Sequence, residues 1–247
     1  MATYGFDDVS FILIDGYSLA GYITELSDYK EAILEDGTTA GDSWQEWAYV
    51  GLKNAGLTAS GFYDAADNAS NEAFVEQFAS RIICYATEGN TVGKAVTMLS
   101  GPIEGKYTRQ AAKGELTKGA IEFEGTGEVE DGKIIATLAA RTTASNTNAT
   151  PVNNGEASTG GAAYLQMTSL TLGGYTNVIV TMQDSADNIT FADMADGEGV
   201  FTAVTAAPAK ERLPLTVSIK QYVSIKWAWT GSGTGNTFTA MVGLHRS

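Results

Sequence analysis

From residue 164 onward the chain is a succession of β-forming runs at short spacing, each closed by glycine or aspartate. This punctuation constrains the fold more than any other feature of the sequence. The runs fall at 164–172, 175–182, 200–205, 214–229 with a bend, and 237–244. Tyr175 to Met182 is dense in β-branched residues, and Ser218–Trp229 alternates Ile219, Tyr222, Val223, Ile225, Trp227 and Trp229 imperfectly. Turn signals separate them at Gly173-Gly174, Asp184–Asn188, Asp196-Gly197, Pro208 and Gly231–Gly235. Short strands with Gly and Asp turns predict a sandwich or jelly-roll-like unit, and no helical period interrupts them.

Residues 1–141 read as mainly β with one helix. Phe11–Ile14 is a short buried strand closed by the turn Asp15-Gly16. Leu26–Ile33 shows no clear period, and Glu35-Asp36-Gly37-Thr38 is a predicted turn. A segment carrying Trp44 and Trp47 follows, with a strand from Leu57 to Phe62. The helix is predicted over 70–85: Ser70 can cap it, Glu72 suits its first turn, and Phe74, Phe78 and Ile82 recur at spacing four as its packing face. Strands are then expected at 92–99 and around Tyr107. Residues 115–138 read as a hairpin with a Gly-rich tip at 125–127. Within it, Ile121 and Phe123 alternate with Glu122 and Glu124, so one face is apolar and the other anionic.

The polar stretch 142–163 carries one charge and no aromatic residue, and reads as a linker or arm. The expected organisation is a β domain over 1–141 and a second β-sandwich-like domain over 164–247. Charge divides unevenly between the parts. Residues 1–141 hold 22 acidic and 10 basic groups, against 7 and 5 in residues 142–247.

A net charge of −14 argues against a protein that grips nucleic acid, because that task needs a basic face. With 44% apolar and 18% charged residues, general disorder is excluded. The single Cys84 rules out an intramolecular disulfide and a C-x-x-C zinc site, and the single His245 rules out a His-clustered metal site. Cys84 reads as a small core hydrophobe and His245 as a surface or satisfied interior side chain. Asp184, Asp187 and Asn188, with Asp193, Asp196 and Glu198, offer oxygen ligands for a cation but lack the EF-hand spacing; turn capping is the simpler reading. Gly231–Gly235 lacks the lysine of a phosphate loop. Trp44, Trp47, Trp227 and Trp229 suit either a core or a sugar-stacking surface. No cofactor is implied. The N-terminus shows no basic or apolar leader, so folding in a cytoplasm is expected.

The order of these features resembles the tail tube, or major tail, proteins of long-tailed bacteriophages. The residues that carry the resemblance are the early strand with Asp15-Gly16, Trp44-Gln-Glu-Trp47, Gly61-Phe-Tyr-Asp64, the predicted helix and the acidic hairpin. Val178–Ser185, Phe191-Ala-Asp193 and Tyr222-Val223 are similar to β units of virion proteins. The resemblance implies a tube-like β-sandwich or barrel with one packed helix, plus the second all-β unit. It implies a structural role without catalysis: rings of three or six copies, stacked into a virion tail tube that meets other tail proteins and conducts DNA into the host. Glu122, Glu124, Glu128, Glu130 and Asp131 are the expected acidic lining of its lumen. A capsid-decoration or fibre-base protein and a carbohydrate-binding β-sandwich are the alternatives.

Overall fold

The computed structural model describes residues 9–36, 47–66, 70–74, 79–125, 129–142 and 151–247, with the side chains of 32–54 and of residue 103 left aside. β1 (Phe11–Ile14) is buried along its whole length. It lies between β2 (Tyr17–Ser18) and β5 (Ser80–Ala86), antiparallel to both. Its side chains alternate between two separate cores. Ile12 and Ile14 join Ile83, Tyr85, Leu99, Ile121 and Phe123, whereas Phe11 and Leu13 join Cys84, Met98, Ile134, Tyr164 and Met241. A strand covered on both faces needs a continuous apolar run rather than an alternating one, which is why Phe-Ile-Leu-Ile occurs here.

The main sheet continues from β5 to β6 (Ala95–Gln110), β8 (Val129–Arg141), β15 (Thr237–Arg246), β10 (Gly161–Thr171) and β13 (Ala209–Leu215). A branch leaves β6 through β7 (Lys118–Glu124) to β4 (Trp47–Phe62) and β3 (Ile23–Asp36). The expected hairpin over 115–138 does not form. β7 and β8 both pair with β6, Glu124 opposite Ile103 and Val129 opposite Leu99. β7 and β8 therefore run in the same direction along β6 instead of pairing with each other. Gly125 allows this passage, since a Cβ there would lie 2.2 Å from the Ala55 carbonyl oxygen.

The predicted helix is also shorter than its stripe. Among the described residues α1 covers Ser70–Phe74, and residues 80–86 form β5. Ser70 does not cap α1: its hydroxyl accepts from the Asp64 amide and donates to the Phe62 carbonyl. Phe74 is buried, 5.5 Å from the Tyr107 ring and 6.5 Å from Phe123. Phe78 lies outside the described residues. Ile82 sits opposite Ser100 in β5, half-buried against the second core. Its neighbours Ile83 and Tyr85 are strong strand formers, and pairing with β1 and β6 overrides the helical spacing.

A smaller sheet, in the order β12 (Ala192–Asp193), β11 (Tyr175–Ser185), β14 (Tyr222–Gly231) and β9 (Val152–Asn153), covers the outer face of β8, β15 and β10. Between the sheets lies a third core, with Leu165, Met167, Val180, Met182, Phe201, Trp227 and Phe238. The run expected as one bent strand over 214–229 is two strands in different sheets, β13 and β14. Residues 200–205 supply isolated bridges to β11 and bury Phe201. Hydrogen bonding crosses the boundary expected at residue 142, because β8 pairs with β15 from Arg141–Phe238 to Lys133–Leu244. Of the expected polar arm, 143–150 lie outside the described residues. Val152 and Asn153 pair with β14, Ser158 bridges Ile219, and Gly161 opens β10. Among the described residues no helix is long and apolar enough to cross a membrane.

Leu13 is fully buried and Ile189 is 83% exposed. Leu13→Ala should lower unfolding free energy by about 2–5 kcal/mol, while Ile189→Ala stays within about 0.5 kcal/mol. Urea denaturation followed by tryptophan fluorescence checks both.

Candidate functional site: a buried polar seam and open assembly surfaces

The curled sheet brings the β1–β2–β5 end against β10 and β13, and side chains bridge the junction. The Gly16 amide donates to Gln166 Oε1 at 2.5 Å, and Gln166 Nε2 donates to the Ile82 carbonyl at 2.8 Å. Gly16 has φ +87°, and a Cβ on it would meet Ala209 N at 2.7 Å and Met167 O at 2.8 Å. No side chain fits that approach. Beside it, Asp15 Oδ1 accepts the Ile82 amide, and Oδ2 pairs with Arg81 Nη1 at 2.9 Å and Lys210 Nζ at 2.5 Å. Arg81 Nη2 reaches Glu104 Oε2 at 3.2 Å. A few residues away, Arg212 holds Glu130 in a fork, Nη2 to Oε1 at 2.6 Å and Nε to Oε2 at 3.2 Å. The Tyr164 hydroxyl donates to the same carboxylate and accepts from Arg212.

Desolvation governs the chemistry of this seam. Burial raises the Glu104 carboxyl, against the opposing pull of Arg81. Burial first, and then the Glu130 hydrogen bond, raises the Tyr164 phenol. The hydrogen bond to Glu130 raises Arg212, so the guanidinium stays charged. Burial pushes the Cys84 thiol up to about 12, which removes thiolate character at neutral pH.

The five expected lumen acids separate. Glu130 is 4% exposed and faces the interior core with Gly132 and Ile134, so it cannot line a solvent channel. Glu122 and Glu124 lie on the outer face of β7, opposite Ile121 and Phe123. Glu122 accepts from Lys106 Nζ at 3.0 Å, and Glu124 accepts from the Tyr29 hydroxyl at 2.9 Å. Asp131 is exposed and pairs with Lys30 at 2.5 Å. Glu128 lies outside the described residues. Across this outer face the strands align Glu25, Ser60, Ala120 and Thr108 in one row. They also flank a groove of about 410 Å³ bordered by Glu25, Phe62, Gln110 and Lys118. The face is polar, and lysines partly neutralise its acids.

The β3–β4 ribbon is the most open element. β4 pairs with β7 only from Gly56 to Phe62, whereas β3 and β4 stay paired out to Asp36–Trp47. Among the described residues the outer half of the ribbon has no third strand. The free edge of β3 runs 14 residues without proline. The opposite sheet edge, β13, carries Lys210, Glu211, Arg212 and Pro214, the residue types that block edge pairing.

The remaining candidates are committed to structural partners. Asp184 pairs with Lys220 at 2.7 Å and Asp193 with Lys226 at 2.6 Å. Asp187 accepts the Ile189 and Thr190 amides, and Glu198 accepts the Thr216 hydroxyl with the Thr216 and Val217 amides. Among the described residues no group of three or more His, Cys, Asp or Glu side chains could hold a metal ion. His245 Nδ1 lies 2.8 Å from the Asp131 carbonyl, while Cys84 contacts Gln166. Trp227 is in the third core and Trp229 packs on it, so neither offers a stacking platform. Trp44 lies outside the described residues, and Gly231–Gly235 turns between β14 and β15. Sequence reasoning missed Asp15, Arg81, Gln166 and Arg212 as a set. The available signal was a single polar residue inside an apolar run, as at Gln166 within Ala162–Met167.

The class defined here is a mainly-β protein with one long curled sheet, a branch ribbon and a smaller covering sheet. No family model and no curated protein matches the chain. Among solved structures it is similar to a chain of the virion of a native gene transfer agent particle, at 13% identity and a TM-score of 0.39, over 53% of this chain and 98% of that one. A chain of the tail of an empty gene transfer agent particle with C6 symmetry gives 12% and 0.39, over 52% and 97%. The SPP1 Dit protein, described as a hub of the adsorption apparatus in phages infecting Gram-positive hosts, gives 13% and 0.35, over 96% and 98%.

Glu130→Gln leaves Arg212 without its counter-charge and should cost about 3 kcal/mol, whereas exposed Asp131→Asn should cost less than about 1 kcal/mol. Chemical denaturation separates the two. Asp187 is held below the usual carboxylate range first by the Thr190 amide, and Glu198 first by the Thr216 hydroxyl. Because their folded values are depressed, the order they confer is complete above about pH 4 and lost as pH falls through the folded values. Amide exchange at Ile189, Thr190, Thr216 and Val217, relative to unstructured rates, should therefore accelerate on acidification. Glu198→Gln should remove the effect at Thr216 and Val217 only.

Proposed function

We propose that the protein is a structural subunit of a bacteriophage tail that polymerises into stacked rings of three or six copies, forming a tube that conducts DNA into the host. The observation that carries this reading is the β3–β4 ribbon, whose outer half, among the described residues, is paired only with itself. A two-stranded ribbon is marginal in water, and an unprotected edge is a template for another chain. In a ring of copies both become interface, because a head-to-tail contact closes when its rotation permits. The arm role passes from residues 142–163 to this ribbon.

The outer face of β7 bearing Glu122 and Glu124 is the proposed lumen side; Glu130 is buried and Asp131 shares the opposite face with Val129, so both are withdrawn. Acids there repel phosphate at short range, screened over about 8 Å at physiological salt. Lys106 tempers the field at Glu122, so DNA is neither gripped nor held far from the wall. The virion tail is the proposed site of action, with assembly in the bacterial cytoplasm. No step of this role needs a catalytic group.

Electron microscopy of concentrated protein should show hollow tubes with a regular axial repeat. A variant with residues 31–54 replaced by a tight Asn-Gly turn should keep its far-UV circular dichroism yet give dispersed particles. Wild-type protein that stays dispersed at every concentration and binds a glycan saturably would select the carbohydrate-binding alternative. Binding to a preformed capsid would select the decoration role.

A further inference from the structure

Where β8 faces β14, a cavity of about 90 Å³ opens between the two sheets, bordered by Arg141, Thr137, Ser224, Trp227, Ile225 and Val92. Arg141 is fixed there by three backbone carbonyls. Nη1 donates to Ala139 and Ala240, and Nη2 donates to Thr137, each at 2.8 Å. Its head also lies 5.6 Å from the Trp227 ring centroid and 5.8 Å from Phe238. Carbonyls and ring faces orient a guanidinium but do not cancel its charge. Arg81 and Arg212 each have a carboxylate at the seam, whereas Arg141 has none among the described residues. Burial lowers its pKa with no acid opposing the shift. The eight residues after Thr142, Thr-Ala-Ser-Asn-Thr-Asn-Ala-Thr, contain no acid that could supply the missing charge.

We infer that this cavity is a binding site for a carboxylate carried on a short apolar stem, with Arg141 as its cationic anchor. A guanidinium has five N–H groups, and three carbonyl bonds leave two for an anion. Two such donors match the two oxygens of a carboxylate. Thr137 and Ser224 border the same space. Val92, Ile225 and Trp227 supply walls for an apolar stem. At about 10–15 Å³ per water the volume holds several water molecules, room for a carboxyl group with one or two carbons. A phosphate monoester, with more charge and more acceptor oxygens, would find too few donors here. The carboxylate can come from a free small acid or from an Asp or Glu side chain of a second copy.

Sodium propionate titrated into the full chain, against sodium chloride at equal ionic strength, tests the site. Propionate should give a saturable change in tryptophan fluorescence and a rise in Tm, both absent with chloride. Arg141→Met should abolish the response, and Arg109→Met on the surface should leave it. Arg141→Lys keeps the cation but loses the paired donors and weakens the midpoint about tenfold or more, which covers the case of an Arg141→Met variant that does not fold. Sedimentation velocity separates the sources. Propionate that dissociates self-associated protein identifies the natural occupant as a neighbour's side chain, and binding without dissociation identifies a free acid. Equal responses to propionate and chloride, or an unchanged response in folded Arg141→Met, would overturn the assignment.

Discussion

Closure of the curled sheet depends on the ionic junction around Asp15. Backbone ladders build the sheet strand by strand, but its ends are joined by Gln166, Lys210, Arg81 and Arg212 reaching groups far away in sequence, up to 150 residues in the Gln166–Gly16 contact. A buried ion pair gains little net free energy, since desolvation offsets most of the attraction. Its value here lies in alignment. Apolar side chains tolerate sliding, whereas Asp15 meets the Ile82 amide, Arg81 and Lys210 together in one register only. That register brings Phe11 and Leu13 against Tyr164 and Met241 and thereby forms the interior core.

Three cores on alternate faces of shared strands follow from that curl. β10 sends Ala162 and Tyr164 inward and Ala163, Leu165 and Met167 outward, and β15 divides Met241 from Ala240 and Val242 in the same way. Such strands couple the layers, because a shift of one residue in β10 would exchange the contents of two cores. Among the described residues no layer covers the outer face of β7, which keeps its acids in water. One set of strands thus gives a layered body on one side and an open polar face on the other.

Local chemistry made much of this legible from the residues. Phe11–Ile14, the Asp15-Gly16 turn, the alternation of Ile121 and Phe123 with acids, and the strands near 164–172, 175–182 and 237–244 all follow from short-range patterns. Long-range pairing was not legible. The spacing of Phe74, Phe78 and Ile82 fits a helix as well as a strand, and the partners β1 and β6 decide for strand at Ile82. Gly125 reads as a hairpin tip until Ala55 is seen pressed against it. Glu130 belongs to an acidic segment in sequence, yet Arg212, 82 residues later, draws it inside. Each miss turned on a residue whose neighbour in space is remote in the chain.

The place of β15 has a consequence for the order of events in the cell. Residues 237–246 lie in the interior of the main sheet, flanked by β8 and β10 rather than at an edge. During synthesis the amino-terminal strands emerge first, but β8 and β10 stay separated until this segment arrives to fill the gap. A nascent chain therefore lacks the closed body on which the β3–β4 ribbon is mounted. Copies that are still being translated cannot present that ribbon in its final geometry, so the proposed ring assembly would be held back on crowded polysomes by topology alone.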